Sequence, residues 1–328
     1  MYESCCHTGL NMLAEGSSFF KGLLLGSIFC LVVSLLGNFT PSWQSSPGIH
    51  LHHHIKAPSK EDLQGLPETQ KLELSLRVRV YCAIMVQPKD LAYYLTAKDT
   101  WSKHCDRAEF YTSESSKAIE AVNLQEQDEW ARIRKALTHA YNNAGDLRWF
   151  FVARATTFAI IENLKYLVLD KDPRQPFYIG RTAKSGELEY VEFTSGIILS
   201  YEALRRLTEV FDDTEKCPER GRALWKLSEE KQLAECLKYR GVFAENGEDT
   251  QGKGLFNSKS VNSLIADSLD QDPADVVENC CSDMAITFSG MTPNQMQVMM
   301  FGIYRLHPYG HTFHDSLVFL PPVGSEND

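Results

Sequence analysis

Trp149-Phe150-Phe151-Val152-Ala153-Arg154-Ala155-Thr156-Thr157-Phe158 is the stretch that decides the fold. The apolar run from Trp149 to Ala153 does not alternate with polar residues, and it stops abruptly at Arg154. A strand apolar on both faces must be covered on both faces, which places it in the middle of a parallel sheet. Upstream, Asp128–Asn143 carries Trp130, Ile133, Leu137 and Tyr141 on one helical face and ends at Asn142–Gly145. Ala108–Thr112 (AEFYT) reads as a short strand before it. Pro88 and Asp90 open an earlier helix with Leu91, Tyr94, Leu95 and Trp101 at helical spacing. Arg77–Val86 (RVRVYCAIMV) is a strand with a β-branched core. The alternation of strand and helix predicts an α/β fold with a mostly parallel sheet and right-handed crossovers. No G-x-G-x-x-G follows the first strand, so a dinucleotide fingerprint is absent.

Downstream, Pro176–Gly180, Leu188–Phe193 and Ile197–Ser200 read as strands, and Tyr201–Phe211, Ser228–Tyr239 and Thr292–Leu306 as helices. The last helix carries a stripe of Met296, Met299, Met300, Ile303 and Tyr304, which reads as core rather than as a groove. No repeat is visible, and no polar stretch is long enough to mark a second domain boundary. Residues 71–328 are therefore expected to form one domain.

The amino-terminal part reads differently. Residues 22–39 (GLLLGSIFCLVVSLLGNF) hold no charge, and Phe19 and Phe20 extend the run across Lys21, whose amine can snorkel to the interface. This is near the length that crosses a bilayer, and no small-x-small cleavage site follows it. We read 1–21 as a cytoplasmic tail, 22–39 as a signal-anchor helix and 40–70 as a flexible stem rich in Pro, Ser and His. The body is then luminal, in a single-pass type II protein of the endoplasmic reticulum or Golgi membrane. The carboxyl-terminal Ser325-Glu326-Asn327-Asp328 does not match a Lys-Asp-Glu-Leu retrieval signal, so it does not choose between the two. The stem's His50–His54 run has nothing nearby to fix a metal geometry and reads as solvated. Asn38-Phe39-Thr40 is the only glycosylation sequon; it abuts the span, Pro41 follows it, and Asn38 is expected to stay unmodified. With 33 Lys+Arg against 43 Asp+Glu, the net charge of −10 argues against a nucleic-acid partner, which would need a basic face. A hydrophobic fraction of 43% excludes a disordered chain. Of nine cysteines, Cys82, Cys105, Cys217, Cys236, Cys280 and Cys281 fall in the luminal body, where an even number suggests disulfides.

In an open α/β sheet, ligands gather at the carboxyl ends of the strands. After Trp149–Ala153 that place holds Arg154, Ala155, Thr156 and Thr157, with no carboxylate for a divalent cation and an arginine that would repel one. Glu229-Glu230, Asp212-Asp213, Glu245 and Asp249 lie in expected helix starts and loops, where carboxylates usually cap or are solvated. His104, His139, His307, His311 and His314 are scattered, and no G-x-S-x-G, H-E-x-x-H or P-loop occurs. The residues alone give no catalytic set.

Local runs along the chain carry a resemblance. SSFFKGLLLGSIFC (17–30), YCAIMVQPKDL (81–91), TWSKHC (100–105), WFFVARATTFAIIENLKYLVL (149–169), KQLAECLKYRGVFAEN (231–246), CCSDMAITF (280–288) and MTPNQMQVMMFGIYRL (291–306) resemble glycosyltransferase family 31, β3-galactosyltransferase subfamily. Within it they are most similar to a branch that acts as a chaperone of core 1 β1,3-galactosyltransferase. The resemblance implies a GT-A-type luminal domain preceded by its transmembrane helix. Active relatives carry Asp-Asp-Asp-Thr-Tyr after the central strand and bind Mn²⁺ and the diphosphate of a UDP-sugar there. That run aligns with Arg154, Ala155, Thr156, Thr157 and Phe158, so its carboxylates are gone. A later Glu-Asp-Val aligns with Glu229, Glu230 and Lys231, and a metal-site histidine aligns with Ser289. Without the cation the leaving UDP loses its charge stabilisation.

The expectation is a pseudo-enzyme with no cofactor and no metal, whose client is core 1 β1,3-galactosyltransferase; self-association stays open. A metal-independent transferase using Glu229 or Glu230 as base and Arg154 as counter-charge is the alternative, and a degenerate paralogue without client is another. Six cysteines admit many pairings. The choice of Cys82 with Cys105, which bracket one strand–helix unit, and of Cys217 with Cys236 rests partly on the resemblance. Cys280 and Cys281 pair with each other or elsewhere.

Overall fold

The structure is a computed structural model and describes residues 55–57, 77–115, 117–217, 227–271 and 281–306. The chain divides into two compact units, Met1–His53 and His54–Asp328, and the first lies wholly outside the described residues. The expected tail, span and sequon fall there, and no described helix is long and apolar enough to cross a membrane.

The second unit is an α/β fold. In chain order its elements are β1 (Ile55–Ala57), β2 (Val80–Met85), α1 (Leu91–Asp99), β3 (Arg107–Thr112), β4 (Val122–Asn123), α2 (Glu129–Asn142), β5 (Trp149–Arg154), β6 (Phe158–Ala159), α3 (Ile161–Leu167), β7 (Tyr178–Gly180), β8 (Thr182–Ser185), β9 (Leu188–Val191), β10 (Ile197–Ser200), α4 (Tyr201–Val210), α5 (Glu229–Tyr239), β11 (Ala244–Asp249), β12 (Phe256–Asn257), α6 (Val261–Gln271), β13 (Thr287–Phe288) and α7 (Pro293–Tyr304). Eight strands form the main sheet in the order β1-β11-β7-β10-β5-β2-β3-β4. Every pairing is parallel except those of β10, which runs antiparallel to both β5 and β7. Small sheets of β12-β13-β6 and of the β8-β9 hairpin flank it.

The central strands obey the period of two and feed two cores. Val80, Cys82 and Ile84 of β2 and Trp149, Phe151 and Ala153 of β5 join one apolar cluster with Trp101, α3 and Met296. Tyr81, Ala83 and Met85 with Phe150 and Val152 join the other, under α2, α4 and α5. Truncating a fully buried aromatic such as Phe150 or Phe151 to alanine removes about 3–5 kcal/mol. Gly196, at φ +85°, opens β10; a Cβ there would lie 2.8 Å from the Phe151 ring, so the tight return into an antiparallel strand needs glycine.

Several expectations need correction. Ala244–Asp249 (AENGED), read partly as acidic loop, is a sheet strand, because backbone pairing with β7 and β1 overrides its poor strand composition. Residues 55–57 of the expected stem supply β1, pairing through the backbone with the edge that β11 offers. Leu91 and Leu95 of α1 face outward at 36% and 45% exposure, while Tyr94 and Trp101 are buried, Trp101 in a separate 3₁₀ turn (Trp101–His104). In α7, Met296 is buried and Met299 and Met300 pack on the core, but Ile303 is exposed. Helices α3 and α6 and the short strands β6, β12 and β13 gave no clear periodic signal. The disulfides Cys82–Cys105 and Cys217–Cys236 are both formed, closing loops of 23 and 19 residues, each worth about 3 kcal/mol through the entropy of the unfolded chain. Cys281 is also disulfide-bonded, and Cys280 lies outside the described residues.

Candidate functional site

The carboxyl ends of β2 and β5 lie side by side, with Met85 in register with Arg154. The Ala155 amide donates to the Met85 carbonyl at 3.0 Å, and the chain turns at Ala155 and Thr156 into β6. Two helices start at the same place. Asp128 caps α2 by accepting from the Ala131 amide at 3.0 Å, which fixes Glu129 in the first turn. Ser228 precedes α5, whose first turn holds Glu229 and Glu230. Carboxylates are stabilised at helix amino termini by the orphan N–H groups and the helix dipole.

Arg154 bridges the two helix starts. Its Nη1 lies 2.5 Å from Glu129 Oε1 and its Nη2 2.6 Å from Glu229 Oε1. The guanidinium also sits 5.1 Å from the Phe193 ring centroid, a cation–π contact. The three side chains are 23–33% exposed, so each pair is worth about 1 kcal/mol or less. A cleft of about 120 Å³ opens beside them, lined by Met85, Gln87, Asp90, Arg132, Ala155 and Thr156 among others. Drug-sized ligands usually occupy about 300–1,000 Å³, so this cleft is small. Arg132 is 8% exposed, and its Nε has no hydrogen-bond partner among the described residues.

The other expected positions converge only in part. Thr157 is fully buried, and its hydroxyl lies 3.1 Å from the Ser289 hydroxyl. Both hydroxyls donate to the Thr194 carbonyl. The antiparallel pairing of β13 with β6 sets Phe288 against Phe158, which brings Ser289 to the turn after β5. Glu230 instead turns away: its Oε2 accepts from the Phe193 amide at 3.0 Å and its Oε1 from the Ser228 hydroxyl. Lys231 lies over Tyr190 on β9, 5.4 Å from the ring centroid. The acidic residues read as capping or solvated largely behave so. Asp213 and Asp249 accept from nearby turn amides, although Glu245 sits in β11 beside Lys171 at 3.7 Å. Burial pushes the Lys171 amine below its ordinary range, and Glu245 partly offsets this.

Glu129 and Arg132 escaped the reading of the sequence. Their only signal was Asp128-Glu129 at a helix start, which capping explains equally well. Manganese or magnesium requires a set of oxygen ligands, and the donors here do not fit one: Glu129 and Glu229 are engaged by Arg154, and Asp90 is left as the one other carboxylate among the residues that line the cleft. Among the described residues no group of three or more His, Cys, Asp and Glu side chains could hold a metal ion.

Over 284 residues, 80% of this chain and 76% of the other, the sequence is 28% identical to glycoprotein-N-acetylgalactosamine 3-beta-galactosyltransferase 1 of Xenopus laevis. The chain is similar to a galactosyltransferase. No family model matches it. Among solved structures, a glycosyltransferase involved in glycosylation of the major capsid of PBCV-1 aligns over 68% of this chain and 99% of its own, at 17% identity and a TM-score of 0.39. The galactosyltransferase LgtC, in complex with donor and acceptor sugar analogues, aligns over 70% of this chain and 98% of its own, at 8% identity and a TM-score of 0.39.

Proposed function

We propose that this chain is a catalytically silent, GT-A-type member of glycosyltransferase family 31, anchored in the endoplasmic reticulum or Golgi membrane. In this reading it assists the folding of core 1 β1,3-galactosyltransferase, as the chaperone branch or its paralogue would. One observation supports a loss of activity. Arg154, the cationic group at the end of β5, is engaged by Glu129 and Glu229, so it is not free to meet a sugar-nucleotide diphosphate. The likeness to a galactosyltransferase over most of the chain supports a client of related fold, whose exposed apolar surfaces a relative could shield. The chaperone role is tested by co-expressing the full chain with the transferase in cells lacking the known chaperone. Restored transferase activity is expected; unchanged activity overturns the chaperone role and leaves the degenerate paralogue.

The competing reading, a metal-independent transferase, needs a free base and a free counter-charge. Glu229 is held by Arg154, and Glu230 accepts the Phe193 amide. Calorimetry with UDP-galactose, with and without Mn²⁺, is expected to show no binding tighter than about 1 mM. Tighter binding would favour the transferase.

A further inference from the structure

We propose that Arg154 is a built-in cation: its guanidinium occupies the point at which β5, α2 and α5 converge, and does there by covalent attachment what a bound metal ion would do by ligation. Three chain segments meet at this point, with Glu129 and Glu229 each taking one arm of the guanidinium at 2.5 and 2.6 Å. Both carboxylates stand in the first turn of a helix, the end at which the helix dipole favours negative charge. Without a cation between them they would repel, which would weaken the attachment of the two helix starts to the end of β5. A guanidinium suits this post because it stays charged at every physiological pH and its two arms serve two carboxylates. The Phe193 ring lies beside it, 5.1 Å from centroid to guanidinium carbon.

Charge counting gives the idea its edge. Arg154 with its two glutamates carries one positive and two negative charges, a net single negative charge. An aspartate at 154 together with one divalent cation carries three negative and two positive charges, the same net value. The substitution Arg154→Asp therefore exchanges the tethered cation for a vacancy ringed by carboxylates, which Mn²⁺ with added water ligands can fill. The inference rests on the metal-free reading of this site and is independent of any client.

Thermal unfolding of the purified full chain tests it. The wild type is expected to unfold at the same temperature in EDTA and in about 1 mM MnCl₂. Arg154→Asp is expected to unfold lower in EDTA and to recover by about 5 °C in MnCl₂. Adding Glu229→Gln to it should abolish most of the recovery. If Arg154→Asp does not fold, Arg154→Ala keeps both glutamates and should be stabilised by Mn²⁺ where the wild type is not. A wild type that itself gains stability from Mn²⁺ overturns both the metal-free reading and the built-in cation. An insensitive wild type with equally insensitive variants overturns the built-in cation alone.

Discussion

The two ends of the central strands use charge in opposite ways. At the carboxyl end, Arg154 and its glutamates are a quarter to a third exposed and border a cleft. At the amino end, Asp106 accepts from the Val80 amide at 2.7 Å and from Lys165 at 2.8 Å, and the Lys165 side chain is only 4% exposed. One residue away from the Cys82–Cys105 bond on the other side, His104 Nδ1 meets Glu162 Oε1 at 2.6 Å, and the Tyr304 hydroxyl donates to Glu162 Oε2 at 2.7 Å. The His104 and Tyr304 rings stack at 4.4 Å. Segment 104–106 is thus clamped to α3 through Glu162 and Lys165, one helical turn apart, with the disulfide between the two pairs. Burial is what separates the two ends. A buried ion that loses its partner destabilises the fold, whereas a half-exposed one is compensated by water. The amino end is built for stability and the carboxyl end is free to change chemistry.

The largest expected effect breaks the amino-end clamp. Asp106→Ala strands the Lys165 ammonium and the Val80 amide, and should cost about 3–5 kcal/mol, measured by urea unfolding. If Arg154→Ala costs as much, the contrast between the ends fails. Next, replacing Cys82 and Cys105 together by serine should cost about 3 kcal/mol, against no comparable loss from opening the carboxyl-end ion pairs. The smallest effect is in the pH dependence of Glu162. Burial works against its charge, but the hydrogen bonds from His104 and Tyr304 prevail and hold its pKa below the ordinary glutamate range. The group therefore contributes stability that is complete above about pH 4.3 and is lost as pH falls through its lowered native value. The stability gap between wild type and Glu162→Gln should shrink in acid, as pH falls through the lowered native value of Glu162. A gap that widens in acid would show that Glu162 is not held ionised by its partners.

The periodic part of this architecture was legible in the residues. The unbroken run Trp149–Ala153 and the faces of α2 and α4 encode a buried central strand and its covering helices, because burial on one or both sides leaves a pattern in the chain. Strand β11, with the composition AENGED, was not legible, since backbone pairing alone recruits it. The site was half legible. Arg154, Glu229 and Ser289 were marked by alignment with a family pattern, and the structure brings Arg154 to Glu229 and Ser289 to Thr157. Glu230 and Lys231 carried the same mark yet turn toward Phe193 and Tyr190, because successive residues of a helix point in different directions.

The sequence by itself determined the α/β class, the central strand and the absence of an acidic run behind it, since each is a local property of residue order. Only the tertiary structure decided that Arg154 is shared between two helix starts. Glu129, 25 residues before it, and Glu229, 75 residues after it, come within hydrogen-bond reach only when both helices pack on one face of the sheet, and no local pattern records that meeting.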